Sequence, residues 1–262
     1  MTDIDSANLE PEPGDSDRGE DPTISDGPDP ADGFDPTPMP DGLAESARGK
    51  VWQVITGGTA AEDLRTYYDM RGDYAGRTFL DAAPVTANEF TASDLFAVSL
   101  LQVSIRPGAA RVFLDPGTQH TQLITALTAV RPEWDLATAD KPTYSAMAQL
   151  YTVVKRTLGK NPWVSASKLC ARKRPRLFPV RDKRVRVLLG LYQYADYTID
   201  WQVFSHVMRQ PDVVDRLAEL KDEAEAEHEH DDNISLDPYP LRHLDVLLWM
   251  EARRRGIGGA AR

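Results

Sequence analysis

The densest chemistry in this chain lies between Lys155 and Arg186, in the stretch KRTLGKNPWVSASKLCARKRPRLFPVRDKRVR, where twelve bases meet one acid, Asp182. A solvated helix face usually mixes the two signs, so this concentration predicts a polyanion partner. The expected phosphate contacts are Lys160, Lys168, Arg172, Lys173, Arg174, Arg176, Arg181, Lys183, Arg184 and Arg186. Each contact of that kind releases counterions, gives a salt-dependent affinity largely indifferent to sequence, and needs no catalytic group. Nucleic acid is therefore the expected partner, DNA ahead of RNA. The competing partner is acidic, either another protein or the chain's own N-terminal tail.

Three other residue sets have types that can do chemistry. Asp182 sits between bases at the start of a predicted helix, where the helix dipole and the neighbouring cations favour its ionised form. Capping that helix is the plainer role, and a catalytic carboxylate is the other. Cys170 lies in a basic neighbourhood that lowers a thiol pKa, yet its place on a predicted helix between Leu169 and Ala171 reads as a buried small hydrophobe. His228 and His230 stand in a run of glutamates, which reads as a solvated segment, so neither a metal nor a cofactor is expected. There is no nucleophile elbow, P-loop or dinucleotide fingerprint.

The elements that must position these residues are helices. Met147, Leu150, Tyr151, Val154 and Leu158 recur with helical spacing, as do Leu123, Ile124, Leu127 and Val130, then Val185, Leu188, Leu189 and Tyr192, then Leu241, Leu244 and Leu248. Leu95 to Val103 is apolar nearly all round and predicts a central buried helix, with Thr91 and Asp94 spaced as its N-terminal cap. Asp212 to Asp232 opens as a helix at Val213, Val214, Leu217 and Leu220, then passes into acids that predict a solvated end. Tyr239 to Arg255 predicts an amphipathic helix stopped at Gly256, with Trp249 and Met250 in the core. No alternating strand pattern stands out. The fold class is therefore mainly α, a compact multi-helix domain behind a disordered tail.

That tail is residues 1–46, with 14 acids, one base and hardly a large apolar side chain, too little to offset the entropy of ordering. The remaining residues carry 29 bases and 27 acids, so the formal charge of -11 describes the tail and not the body. The boundaries expected are a tail to 46, one helical domain over 47–255 and a frayed end over 256–262. A single cysteine excludes an intrachain disulfide framework and suits a reducing, cytoplasmic setting. No apolar run approaches the ~20 residues of a membrane span, and the first thirty residues lack a leader's apolar region, so no membrane association is expected.

Two resemblances rest on these residues. Ser165 to Leu169, Lys173 to Asp182 and Leu241 to Met250 resemble an uncharacterised family of actinobacterial proteins, from about Asp63 to Arg253. More distantly, Ser165-Ala166 followed by Pro179 to Val185 is similar to the core of the helix-hairpin-helix DNA glycosylases. That second resemblance implies a helix-hairpin-helix-like fold, places the aspartate that supports departure of a damaged base on Asp182, and implies a hairpin that holds DNA backbone through glycine amides. The sequence departs from it at the hairpin, where Lys160-Asn161-Pro162 replaces the glycine pattern and Pro162 has no amide to donate. It departs again at Val164, where lyase members of that superfamily carry a lysine. Three functions follow: a noncatalytic nucleic-acid-binding domain, a base-excision enzyme using Asp182, or a protein-interaction module.

Overall fold

The computed structural model describes residues 34–83, 86–159, 162–226 and 233–257. Among them lie twelve α-helices: α1 (Leu43–Ile55), α2 (Ala60–Tyr68), α3 (Thr78–Asp81), α4 (Ala92–Ser99), α5 (Pro107–Leu114), α6 (Thr118–Ala129), α7 (Lys141–Leu158), α8 (Trp163–Lys173), α9 (Lys183–Leu189), α10 (Tyr197–Met208), α11 (Pro211–Ala226) and α12 (Pro240–Arg254). No strand occurs among the described residues, and the only β pairing there is an isolated antiparallel bridge between Asp69 and Ile234. The mainly helical class is as the periodicity predicts.

The helices fall into two groups. In the first, α7 lies against α5, α6 and α8, and α4 packs on the outer side of α8. In the second, α12 lies against α1, α2, α9 and α11. Helix α10 joins them, touching α1 and α11 on one side and the 3-10 turn Leu136–Thr138 on the other. At the junction Trp201 is fully buried, with Tyr144, Tyr151, Phe178 and Tyr197 around its ring at centroid distances of 4.7–6.5 Å. Truncating a buried aromatic of this kind costs about 3–5 kcal/mol, so this cluster holds the two groups together.

Local sequence explains where the central helices start and stop. The Asp140 side chain accepts from the Thr143 amide at 2.9 Å, opening α7. All five residues of the predicted stripe, from Met147 to Leu158, are buried along that helix. Its stop is Gly159, at φ 113, where a Cβ would fall 1.8 Å from Arg106 Nη2, so only glycine fits. Asp182 caps α9 by accepting from the Arg184 amide at 2.8 Å, and Gly190, at φ 80, ends it. Thr91 and Asp94 form the reciprocal capping box that their spacing predicts.

Several boundaries differ from the sequence expectation. The stretch Leu95 to Val103 is not a central helix: α4 ends at Ser99 at the periphery, Phe96 is 55 % exposed, and Gln102 at φ 60 turns the chain away. Uniform hydrophobicity there reflects one buried face and one outward apolar face. The body begins upstream of residue 47, because Phe34 is buried, the Thr37 hydroxyl donates to Asp196, and Gln202 donates to the Thr37 carbonyl at 2.8 Å. It also runs past 255, since the Ile257 carbonyl accepts from Arg184 Nη1 at 3.0 Å. Trp249 and Met250 are half-buried at the edge of the core rather than inside it. The rest of the acidic tail and residues 258–262 lie outside the described residues.

Candidate functional site

Helix α8 carries its bases inward. Lys168, Arg172, Lys173 and Arg174 are all buried. Their partners are mostly the carbonyl ends of other helices, where a partial negative charge collects. Lys168 Nζ donates to the Leu101 carbonyl beyond α4 at 2.8 Å, and Arg172 donates to the Phe79 and Ala82 carbonyls at the end of α3 at 2.5 and 3.1 Å. Arg174 donates to the Leu127 and Val130 carbonyls at the end of α6 at 2.7 and 2.6 Å, and to the Ala87 carbonyl at 2.6 Å. One carboxylate serves this group: Asp94 takes Arg172 Nε at 3.1 Å and Lys173 Nζ at 2.8 Å. Desolvation pulls the Lys173 ammonium below its ordinary range against the opposing pull of Asp94, and it brings Arg174 down to about 10.

A second cation pair faces α10. Arg181 and Arg186, both buried, share the single carboxylate of Asp200, and each guanidinium lies over the buried Trp163 ring at 5.2–5.3 Å from its centroid. Arg181 also donates to the Tyr151 hydroxyl at 2.8 Å, and Arg186 donates to the Tyr194 carbonyl beyond α9.

Six of the ten expected phosphate contacts, Lys168, Arg172, Lys173, Arg174, Arg181 and Arg186, are therefore committed to the chain's own carbonyls and carboxylates, and the expectation is corrected at those positions. Arg176 is exposed and paired with Asp135 at 3.2 Å. Lys183 is exposed, lying 5.7 Å over the Tyr192 ring, and Arg184 is half-buried. Lys160 lies outside the described residues. Bases that the first count passed over join the surface at this end: Arg156 is exposed and Lys155 half-buried at the end of α7, and Arg106 is exposed, donating to the Leu158 carbonyl at 2.9 Å. The signal that would have found them is negative. No Asp or Glu occurs in residues 95–114 or 141–181, which supply α5, α7, α8 and all of α4 beyond Asp94, helices linked by contacts of α4 with α8, α8 with α7 and α7 with α5.

Asp182 is half-buried at the start of α9. Its Oδ1 accepts the Arg184 amide, while Oδ2 accepts no hydrogen bond among the described residues. On α12, Asp245 is buried; its Oδ2 accepts from the Val180 amide at 3.1 Å and is ion-paired with Arg242 Nη2 at 2.7 Å, which itself donates to the Phe178 carbonyl. Burial pushes the Asp245 carboxyl up to about 7, the Arg242 charge and the Val180 hydrogen bond opposing, with Asp237 and Asp182 adding to the rise. Among the described residues Asp245 Oδ1 and Arg242 Nε and Nη1 are buried without a partner. Tyr68 donates to Asp237, and His243 Nε2 lies 2.8 Å from the Asp237 carbonyl. Burial lowers the His243 pKa, with Asp237 opposing. The arrangement sets the partly exposed Asp182 carboxylate within electrostatic reach of Asp245, whose carboxyl burial pushes up to about 7.

Cys170 is fully buried, and burial drives its thiol well above the ordinary range, as expected of a small hydrophobe. His228 and His230 lie outside the described residues, and no cluster of metal-ligating side chains occurs among the described ones. No helix among them is long and apolar enough to cross a membrane.

These features define an all-helical domain fastened internally by buried cations, with an acid-poor face. Residues 60–252, from α2 into α12, match the family of unknown function DUF6308, and the chain belongs to that family. No curated protein and no solved structure matches it.

Proposed function

We propose that this is a nucleic-acid-binding helical domain whose contact surface is the end of the bundle where α7 meets α8 and α9 begins. The observation that carries the reading is the acid-free composition of two segments: residues 95–114 and 141–181 hold twelve bases and no acid, and α4 and α8, α8 and α7, and α7 and α5, which they largely supply, are in contact. Arg172 and Lys173 share Asp94, and Arg181 and Arg186 share Asp200, so each of these carboxylates faces two buried cations in a medium that screens charge poorly. Arg106, Lys155 and Arg156 at the end of α7, with Lys183 and Arg184 at the start of α9, are the bases assigned the direct phosphate contacts.

The test is fluorescence-anisotropy binding of the full chain to labelled single- and double-stranded DNA over a range of salt. A Lys155→Gln/Arg156→Gln/Lys183→Gln/Arg184→Gln variant, checked by far-UV circular dichroism, runs beside it. Each phosphate contact contributes about 0.9 to the log–log salt slope on duplex DNA and about 0.7 on single strands, so the variant should lose slope as well as affinity. No binding at about 50 mM salt refutes the reading.

A second reading, base excision through Asp182, is favoured by one observation: a partly exposed Asp182 carboxylate within electrostatic reach of the Arg242–Asp245 pair, whose buried donors and acceptor lack partners among the described residues. It requires that pair to open and admit a flipped base. Incubating oligonucleotides that carry single damaged bases with the parent and with Asp182→Asn, then treating them with hot alkali to cut at abasic sites, decides it; alkali-dependent strand products from the parent alone support excision.

A further inference from the structure

We propose that an unpaired base of the bound strand stacks on Phe96, which makes the domain a reader of single-stranded or locally opened nucleic acid. This rests on the nucleic-acid reading and specifies it. Phe96 is 55 % exposed on α4, and Leu100, one turn on, is 36 % exposed, giving a flat apolar step with an aromatic at its centre. Successive bases offer a π-face to any exposed aromatic platform.

The platform is rigid and correctly surrounded. Asp94, two residues before Phe96, is buried and held by the capping box and by Arg172 and Lys173. The chain leaving α4 is pinned where Lys168 Nζ meets the Leu101 carbonyl, and it then delivers Arg106 to the Leu158 carbonyl at the α7 end. The step at Phe96 and Leu100 is therefore joined by one short anchored loop to the bases Arg106, Lys155 and Arg156. No acid lies between residues 95 and 114, so a phosphate chain crossing from those bases to Phe96 meets no like charge from this segment. That charge complementarity selects nucleic acid over a neutral apolar partner.

The experiment compares three labelled probes on the full chain: a thymidine strand of about 15 nucleotides, an abasic phosphodiester strand of equal length, and the duplex. Phe96→Ala and Phe96→Trp are read beside the parent, and the exposed position lets both fold, which circular dichroism confirms. The expected result is that the parent prefers the thymidine strand to the abasic one. Phe96→Ala then loses about fivefold or more on the thymidine strand and nothing on the abasic strand, while Phe96→Trp keeps the preference. Unchanged thymidine-strand binding in Phe96→Ala, with salt-dependent abasic binding intact, overturns the stacking and leaves the phosphate reading standing. Failure of the parent to bind any probe overturns both. Should Phe96→Ala abolish self-association or vesicle binding without touching strand affinity, the step belongs to a second copy or a lipid surface, and the proposal is overturned.

Discussion

Asp94 is the point at which most of the sequence's charge pattern can be tested at once. Its carboxylate is fully buried, accepts from Arg172 Nε at 3.1 Å and Lys173 Nζ at 2.8 Å, and accepts the Thr91 amide at 2.9 Å in the capping box. Replacing it with alanine leaves two cations in the interior with carbonyl partners only. Removing one partner of a buried ion pair costs about 3–5 kcal/mol. The capping interaction adds about 1 kcal/mol, because the Thr91 amide loses its acceptor. Asp94→Ala should therefore destabilise by about 4–6 kcal/mol, a large share of the ~5–15 kcal/mol that holds a typical domain folded. Urea unfolding followed by circular dichroism at 222 nm measures it. The partner experiment is a double-mutant cycle with Lys173→Met, in which the second substitution should recover part of the loss by removing a charge that has lost its counterion. A loss of less than about 1 kcal/mol, the size of a surface pair, would mean that solvent reaches these groups and that the account of buried fastening is wrong.

Two further outcomes follow from single positions. Asp245, at about 7 in the folded chain against 3.8 without the fold, binds a proton on folding, so its contribution to stability is present at low pH and is lost as pH rises from about 4 to 7. Asp245→Asn removes that titration, and its stability relative to the parent should rise by about 1.4 kcal/mol per pH unit across that window, with no such trend above about 8; a flat difference in urea midpoints refutes the assignment. Lowered His243 opposes this slope below 6.5 in both proteins and cancels in the difference. Gly159→Ala must push Arg106 off the Leu158 carbonyl and hold alanine at φ 113, so a loss of at least about 1 kcal/mol is expected in the same assay, and an unchanged midpoint argues against that packing.

The helical class and several termini were legible because they are local. The α7 stripe, the Thr91–Asp94 box, Asp182 as a cap, and Gly256 at φ 67 past α12 are all written within a few residues of one another. The destination of the basic stretch was not, because its partners are backbone carbonyls at the ends of α3, α4 and α6, which every sequence possesses and none displays. Of the acids it does use, Asp94 and Asp200 are separated from Arg172 and Arg186 by 78 and 14 positions, and nothing in their neighbourhood marks them as counterions. Phe96 failed in the opposite sense: apolar content gave burial, but a single helix turn cannot say which of its faces another helix will cover.

The internal use of the bases changes what the charge count means without removing it. A carbonyl satisfies a guanidinium's hydrogen bonds but cancels none of its net charge; only a carboxylate does that. Lys168, Arg172, Lys173, Arg174, Arg181 and Arg186 fasten helix ends; Arg172 and Lys173 share Asp94, and Arg181 and Arg186 share Asp200, so each pair brings two positive charges to one negative charge. At an effective dielectric constant of about 20, one uncompensated charge acts on a phosphate 10 Å away with about 1.7 kcal/mol before salt screening. Under the proposed nucleic-acid reading, structural cations would favour a polyanion at a surface they never reach, and Arg106, Lys155, Arg156, Lys183 and Arg184 would fix where it sits. Scaffold and attraction would then be two consequences of one charge pattern.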